Sequence, residues 1–421
     1  MDGLANAAGH EDRHAPLKDY CRGLLLPGER KSIEPMAARL NPDNVQAARQ
    51  SLHHLVAKAP WSDECLLSRV RSEVLPAMQK HGPVVAWIVD DTGFPKKGKH
   101  SVGVTRQYCG QVGKQENCRV AVSLSVATWS SSLPIAYRLY LPKDWAEDYD
   151  RRGKTEVPAE VEFKTKPEIA LEQIRAAVAA KVAKGVVLAD AAYGINTDFR
   201  ETLTELQLQY VVGVQSTMTV WEPGKQPLPA QPSGKMGRPP RLLRRTANHQ
   251  PVSVKQLAVS LPATAYKEVT WREGTDRNLR SRFAAVRVRP AHRDYWKSEP
   301  HAEEWLLIEW PKGEPEPAKY WISTLAPGTK LKPLVKMAKQ RWIIERDYQE
   351  LKQELGLGHF EGRNWRGFHH HATLCIAAYG FLVAERNRFS PSARAGHLEF
   401  EAPEPAPDFH PRGSRHPSRT A

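Results

Sequence analysis

The chain has 421 residues, 41% hydrophobic and 26% charged, with a formal net charge of +14 and a pI near 9.5. That length is expected to divide into two or three structural units, and the positive excess matches a polyanionic partner, nucleic acid or an anionic membrane surface. Five scattered cysteines with no C-x-x-C pair argue against a zinc or disulfide framework, and the polar residues 1–14 lack the apolar core of a signal peptide. The longest apolar stretch, 372–384, is too short to span a bilayer, which leaves nucleic acid as the favoured partner and a cytoplasmic location as the expectation.

Residues 17 to about 80 read as helical, with pieces at 32–40, 44–57 and 63–80 separated by the break Asn41-Pro42-Asp43. This N-terminal helical domain, 1–81, carries Arg22, Arg30, Lys31, Arg39, Arg49, Arg69 and Arg71, and is either DNA-binding or a solvated basic surface. From Gly82 the period changes to that of strands, predicted at 84–91, 104–109, 118–128 and 134–141, with Gly110 to Gly113 as a turn. Pro167 opens a helix lined by Leu171, Ile174, Val178 and Val182; a strand at 186–190, a helix near 197–206 and a strand at 210–214 follow. Antiparallel strands followed by helix, strand, helix, strand is the order of an RNase H-like α/β core, here 82–215. Residues 216–328 read as a β-rich insertion, with strands at 283–288 and 305–310. Helical periodicity returns over 329–387, and 388–421 has the Pro, Ser, Arg and His content of a disordered tail.

Carboxylates stand out at three places. The apolar run Val84-Val85-Ala86-Trp87-Ile88-Val89 ends in Asp90-Asp91, and Val186-Val187-Leu188-Ala189 ends in Asp190. Glu345 sits on a long amphipathic helix whose apolar stripe is Met337, Ile344, Leu351 and Leu355. Two strand-end aspartates and a helical glutamate are the hard oxygen donors that a two-Mg²⁺ phosphodiester site needs, with the ions about 4 Å apart. Asp91, Asp190 and Glu345 form the expected triad. Asp90 is the rival at the first position, because strand alternation sends one of the pair to each side. Arg341 and Lys352 share the helix face of Glu345 and are expected to hold DNA phosphates. Singly, each of these residues is more often a turn former, a cap or a solvated ion pair; their order within one α/β pattern is what gives them weight.

These residues also carry a resemblance. Asp90-Asp91-Thr92-Gly93-Phe94-Pro95-Lys96-Lys97-Gly98, Arg106-Gln107-Tyr108-Cys109-Gly110 and Gly113-Lys114-Gln115-Glu116-Asn117-Cys118 resemble segments of bacterial insertion-sequence transposases. So do Leu188-Ala189-Asp190-Ala191-Ala192-Tyr193-Gly194, Tyr320-Trp321-Ile322-Ser323-Thr324 and Leu355-Gly356-Leu357 through Arg363. The chain is similar to the DDE transposases of the insertion sequence four superfamily, in its seven-zero-one branch, over about residues 18–386. The resemblance implies an RNase H-like core interrupted by a β-strand insertion, two Mg²⁺ ions (Mn²⁺ able to substitute), and cut-and-paste transposition. It also implies double-stranded DNA as partner, at terminal inverted repeats and target, and a homodimer in the synaptic complex. It places the triad on Asp91, Asp190 and Glu345. The superfamily signature Tyr-x-x-Arg-x-x-x-Glu-x-x-x-x-x-x-Lys falls on Ala338, Arg341, Glu345 and Lys352, so position 338 departs from it. Tyr320 or Trp321 is the counterpart of the insertion aromatic that stacks on a flipped base. An RNase H-like nuclease without strand transfer and a silent, domesticated DNA-binding derivative are the alternatives.

Among weaker signals, Lys235-Met236-Gly237-Arg238-Pro239-Pro240-Arg241 is a basic loop in which Arg238 is expected to grip DNA. Lys96 and Lys97 are expected at the active-site rim, touching DNA backbone. His369, His370 and His371 are consecutive, so on a helix they point apart, which favours helix-start packing or phosphate contact over a metal site.

Overall fold

The computed structural model describes residues 1–231, 241–274 and 278–389. Five helices come first: α1 (Asp2–Ala7), α2 (His14–Leu25), α3 (Ile33–Leu40), α4 (Val45–Ala57) and α5 (Asp63–Gln79). Local chemistry sets their starts. Asn44 accepts from the backbone N–H of Ala47 at the head of α4, and Ser62 from that of Cys65 at the head of α5. Four strands follow, β1 (Ala86–Pro95), β2 (Thr105–Cys109), β3 (Lys114–Ala127) and β4 (Ser132–Leu139), then two short helices, α6 (Lys143–Ala146) and α7 (Tyr149–Lys154). Helix α8 (Lys166–Ala179) begins on a reciprocal cap in which Thr165 and Glu168 satisfy each other's backbone N–H groups, with Pro167 in its first turn. Then come β5 (Val186–Ala189), α9 (Ala191–Gly194), α10 (Thr197–Glu205) and β6 (Tyr210–Val214).

The chain continues through β7 (Thr219–Trp221), β8 (Val252–Ser253), α11 (Val254–Ser260), β9 (Lys267–Arg272), β10 (Leu279–Pro290), β11 (Glu304–Glu309) and β12 (Lys319–Ser323). It closes with α12 (Leu331–Lys339), α13 (Trp342–Gln353) and α14 (Trp365–Phe389). The long helix expected around Glu345 is therefore two helices, broken at Gln340-Arg341. The buried Gln340 side chain there donates to the Thr128 carbonyl, 3.2 Å away, instead of continuing the apolar stripe.

Among the described residues twelve strands join one mixed sheet, in the order β2-β3-β1-β5-β6-β12-β11-β10-β7-β8, with β4 on β3 and β9 on β10. β1, β5 and β6 run parallel; β3 lies antiparallel to β1, and β12 antiparallel to β6. The strands between β6 and α12 thus extend the same sheet from its β6 side. β1 and β5 are apolar on both faces, as strands covered by helices on each side must be. One continuous hydrophobic core runs from Leu4 to Ala384. α14 is buried along most of its length against α5, α2, α4 and β4, so the N-terminal helices are packed into the body and not set apart. Val70 and Val74 of α5 come close enough to Gly380 that a Cβ there would lie 3.0 and 3.1 Å from them.

Three consecutive histidines seal that junction. His369 accepts the Leu139 N–H at 3.1 Å, His371 lies 2.8 Å from the Tyr20 hydroxyl, and His370 stacks on Trp61 at 3.6 Å between ring centres. Burial pushes His370 and His371 down to about 4. All three do packing work at the start of α14, and none faces solvent where a phosphate could reach it.

Candidate active site

β1 presents its two aspartates to opposite faces. Asp90 stands opposite Ser123 on β3, and the Ser123 hydroxyl is hydrogen-bonded to the Tyr348 hydroxyl of α13, so Asp90 faces α13. Asp91 stands opposite Val122, on the other face, where α8 packs; its Oδ2 is 2.5 Å from Lys166 Nζ. On β1's other side, Ile88 is in register with Leu188 of β5, and continuing that parallel register by two residues sets Asp90 beside Asp190. Arg341, just before α13, joins them: its Nη2 is 2.9 Å from Asp90 Oδ1 and 3.8 Å from Asp190 Oδ2. Glu345, one helical turn on, lines the same cleft as Asp190 and Arg341. Of the strand's two carboxylates, Asp90 faces α13 and shares Arg341 with Asp190, while Asp91, the expected first member of the triad, is paired with Lys166 on the other face.

Asp190 owes its place to two glycines. It caps α9, its Oδ1 accepting the Ala192 N–H at 2.9 Å. α9 in turn sits directly on β6: a Cβ at Gly213 would lie 2.9 Å from the Ala191 nitrogen, and one at Gly194 would lie 1.9 Å from the Gly213 carbonyl oxygen. Only glycine at both positions permits that approach.

The electrostatics follow from this crowding. Burial pushes Asp90 up to about 6, partly offset by Arg341 and reinforced by Asp91 and Asp190. Burial opposes the charge on Arg341, but Asp90, Asp190 and Glu345 raise its pKa above the ordinary arginine value. Arg341 is the cation that Asp90 and Asp190 share. The cleft beside them holds about 710 Å³ and is walled by Tyr320, Trp321, Trp342 and Lys339 as well as by Asp190 and Glu345. Tyr320 is buried and Trp321 half-buried, the latter opposite Gly213 and with Lys339 Nζ 5.2 Å from its ring centre.

Lys352 and Lys96, expected to contact DNA, hydrogen-bond to backbone carbonyls here. Lys352 Nζ donates to the Gly93 carbonyl at 3.0 Å and to Gln111 Oε1 at 3.2 Å, braced over the Phe94 ring; burial lowers its pKa. Lys96 Nζ donates to the Phe360 carbonyl at 2.9 Å, and burial pulls it down to about 8. Both lysines are struts of the β1 end, whereas Lys97 is exposed. Arg238 lies outside the described residues. In the N-terminal helices, Arg22, Arg30, Arg69 and Arg71 pair with Asp19, Glu361, Glu73 and Glu64, and Lys31 is buried against the Leu24 carbonyl. Lys166, Tyr348 and Trp342 escaped the sequence reading. The signals were slight: Lys166 directly precedes the helix-opening Pro167, and Tyr348 falls three residues after Glu345.

The sequence matches the family described as DDE superfamily endonuclease over residues 3–278 of the 421. The chain belongs to the DDE superfamily endonucleases. The matched region contains Asp90, Asp91 and Asp190 and ends before Glu345. The chain is also 32% identical over 195 residues to the probable transposase for insertion sequence element IS701 of Microchaete diplosiphon, an alignment covering 46% of this chain and 47% of that protein. The chain thus matches about half the length of that curated relative. Membership in the DDE endonucleases implies a divalent metal ion. Among the described residues no three acidic, histidine or cysteine side chains converge tightly enough to form a ready-made metal cage. The donors that do line this DDE endonuclease's cleft are carboxylate oxygens, the hard ligands that Mg²⁺ and Mn²⁺ take. Among the described residues no helix is long and apolar enough to cross a membrane.

Proposed function

We propose that this DDE endonuclease is the transposase of an insertion sequence, cutting DNA at terminal inverted repeats and joining the freed ends to a target. The observation that supports the reading is that Asp90 on β1 and Asp190, just past the parallel strand β5, share Arg341, one helical turn from Glu345. The order β4-β3-β1-β5-β6 supports an RNase H-like core, with β7 to β12 as the β-rich insertion and the helices of 1–81 as the domain that reads the DNA ends. The family and the IS701-type relative support DNA as the partner. Two ends must be brought together before joining, so the working form is a homodimer, located with the DNA in the bacterial nucleoid.

Asp90, Asp190 and Glu345 would hold the metal, read as two Mg²⁺ ions with Mn²⁺ able to substitute. When bound, the metal lowers the pKa of a nucleophilic water or 3′-hydroxyl and stabilises the leaving oxygen. Arg341 offsets the mutual repulsion of the carboxylates and so keeps them within reach of one another. Tyr348, through Ser123, fixes the face of β1 that carries Asp90 under α13. Trp321 and Trp342 wall the cleft. The test is excision of a marker placed between the gene's own flanking DNA segments, comparing this chain with Glu345→Gln. Excision lost in the variant supports the reading. Duplex cleavage without joining would favour a plain nuclease, and end binding without cleavage by the unaltered chain would favour a silent DNA-binding derivative.

A further inference from the structure

The segment between the first carboxylates and the start of β3 has an unusual charge pattern. Residues 92–115 contain Lys96, Lys97, Lys99, Arg106 and Lys114 and no Asp or Glu, in a chain where 47 of 421 residues are acidic. The fold gathers this segment at one place. β2 terminates the sheet and pairs with β3 as a hairpin. That hairpin closes over β1: a Cβ at Gly93 would lie 2.6 Å from Cys109 Sγ and 3.4 Å from the Cys109 Cα, two residues past Asp91. Its tip is tied to the carboxylate-bearing helix, because Lys352 Nζ holds both Gln111 Oε1 and the Gly93 carbonyl. The loop after β1 is stitched to the hairpin's base: Lys96 N–H donates to the Asn117 carbonyl at 2.9 Å, and Asn117 Nδ2 donates to the Gly98 carbonyl at 3.0 Å.

What this scaffold displays is unlike an ordinary solvated edge. Lys97, Lys99 and Arg106 are exposed, and Tyr108 and Val112 are 61% and 43% exposed. Lysines alone on an edge strand would fit protection against edge-to-edge pairing, but a bare tyrosine and valine on the same hairpin work against it. Glu116 pairs with Lys114 at 3.8 Å, while Lys97, Lys99 and Arg106 stay exposed; these three cations, interleaved with an exposed aromatic and set close to the carboxylates, match a polyanion with apolar surfaces of its own.

We infer that the β2–β3 hairpin and the 96–100 loop form a grip for duplex DNA next to the carboxylates, in which Lys97, Lys99 and Arg106 neutralise phosphates and Tyr108 supplies the uncharged contact. The inference rests on the reading of the chain as a DNA-cleaving enzyme and adds a holding surface that the triad does not include. Its test is fluorescence anisotropy of the full chain with a fluorescein-labelled duplex taken from the DNA flanking the gene, titrated across a range of KCl concentrations. The variant Lys97→Gln/Lys99→Gln/Arg106→Gln should flatten the slope of log affinity against log salt by about 2 to 3, near 0.9 per phosphate contact. Lys97→Arg/Lys99→Arg/Arg106→Lys should keep the slope. Tyr108→Ala should weaken binding with the slope unchanged, and Tyr108→Phe should bind as the unaltered chain does. Unchanged slope and affinity in the Gln and Ala variants would overturn the grip while leaving marker excision, and so the transposase reading, intact. Hairpin-dependent binding by a chain that neither excises nor cleaves would uphold the grip and sink the catalytic reading.

Discussion

Asp347 gives the structure a pH dependence that can be worked out in advance. It lies two residues past Glu345, buried on α13, and accepts hydrogen bonds from Ser132 Oγ at 2.5 Å and from the Tyr379 hydroxyl at 2.7 Å. Those bonds join α13 to β4 and α14 and so orient the helix that carries Glu345. Burial pushes Asp347 up to about 6 from an ordinary value of 3.8, against the pull of the two donors. A carboxyl that binds its proton more tightly when folded stabilises the fold most when protonated, so its contribution falls as the pH rises from about 4 through 6. A shift of about two units corresponds to about 3 kcal/mol, all of it lost by about pH 7. Asp347→Asn is neutral throughout and keeps an acceptor for one hydroxyl. Urea unfolding of both proteins at intervals from pH 4.5 to 7.5 should show the variant gaining on the unaltered chain by about 2 kcal/mol across that window. Asp90 titrates in the same range but is common to both proteins, so it drops out of the difference. Parallel stability curves would refute the argument that a buried charge is being tolerated at this anchor.

Two further outcomes test the supports of the site. Lys352→Met should lower stability by about 1–3 kcal/mol, since the Gly93 carbonyl loses its side-chain donor, whereas Lys97→Met at an exposed position should change it by less than about 0.5; thermal melts of the two variants decide this. Gly213→Ala should cost about 1–3 kcal/mol and displace α9, because its Cβ would lie 2.9 Å from the Ala191 nitrogen; urea midpoints, and Mn²⁺ binding followed by electron paramagnetic resonance, should both fall.

Much of this arrangement was legible in the amino-acid order, and what was not has physical causes. The apolar runs ending in Asp90 and Asp190 placed β1 and β5 within two residues of their observed starts, because strands covered on both faces leave an unmistakable run of Val, Ile and Leu. The choice between Asp90 and Asp91 was not legible. Alternation says only that they face apart; which face receives α13 is decided by Ser123, Tyr348 and Arg341, from distant parts of the chain. The break at Gln340-Arg341 was hidden because neither residue is Pro or Gly and the apolar stripe continues on both sides of it. Lysines posed the same difficulty: Lys96 and Lys352 are struts and Lys97 is exposed, yet a lysine reads alike whether its amine reaches a carbonyl or water. Nor could spacing reveal that Arg30 of the N-terminal region is paired with Glu361, 331 residues away.

The central claim is that Asp90, Asp190 and Glu345, gathered by Arg341, are the carboxylates that cleave DNA. The most direct test is cleavage of a labelled duplex carrying the gene's flanking DNA, with Mg²⁺ or Mn²⁺, by Asp90→Asn and Asp91→Asn side by side. Asp90→Asn is expected to abolish cleavage with either ion, while Asp91→Asn, which loses its pairing with Lys166, retains it at reduced rate. Cleavage that survives Asp90→Asn and disappears in Asp91→Asn would contradict that claim.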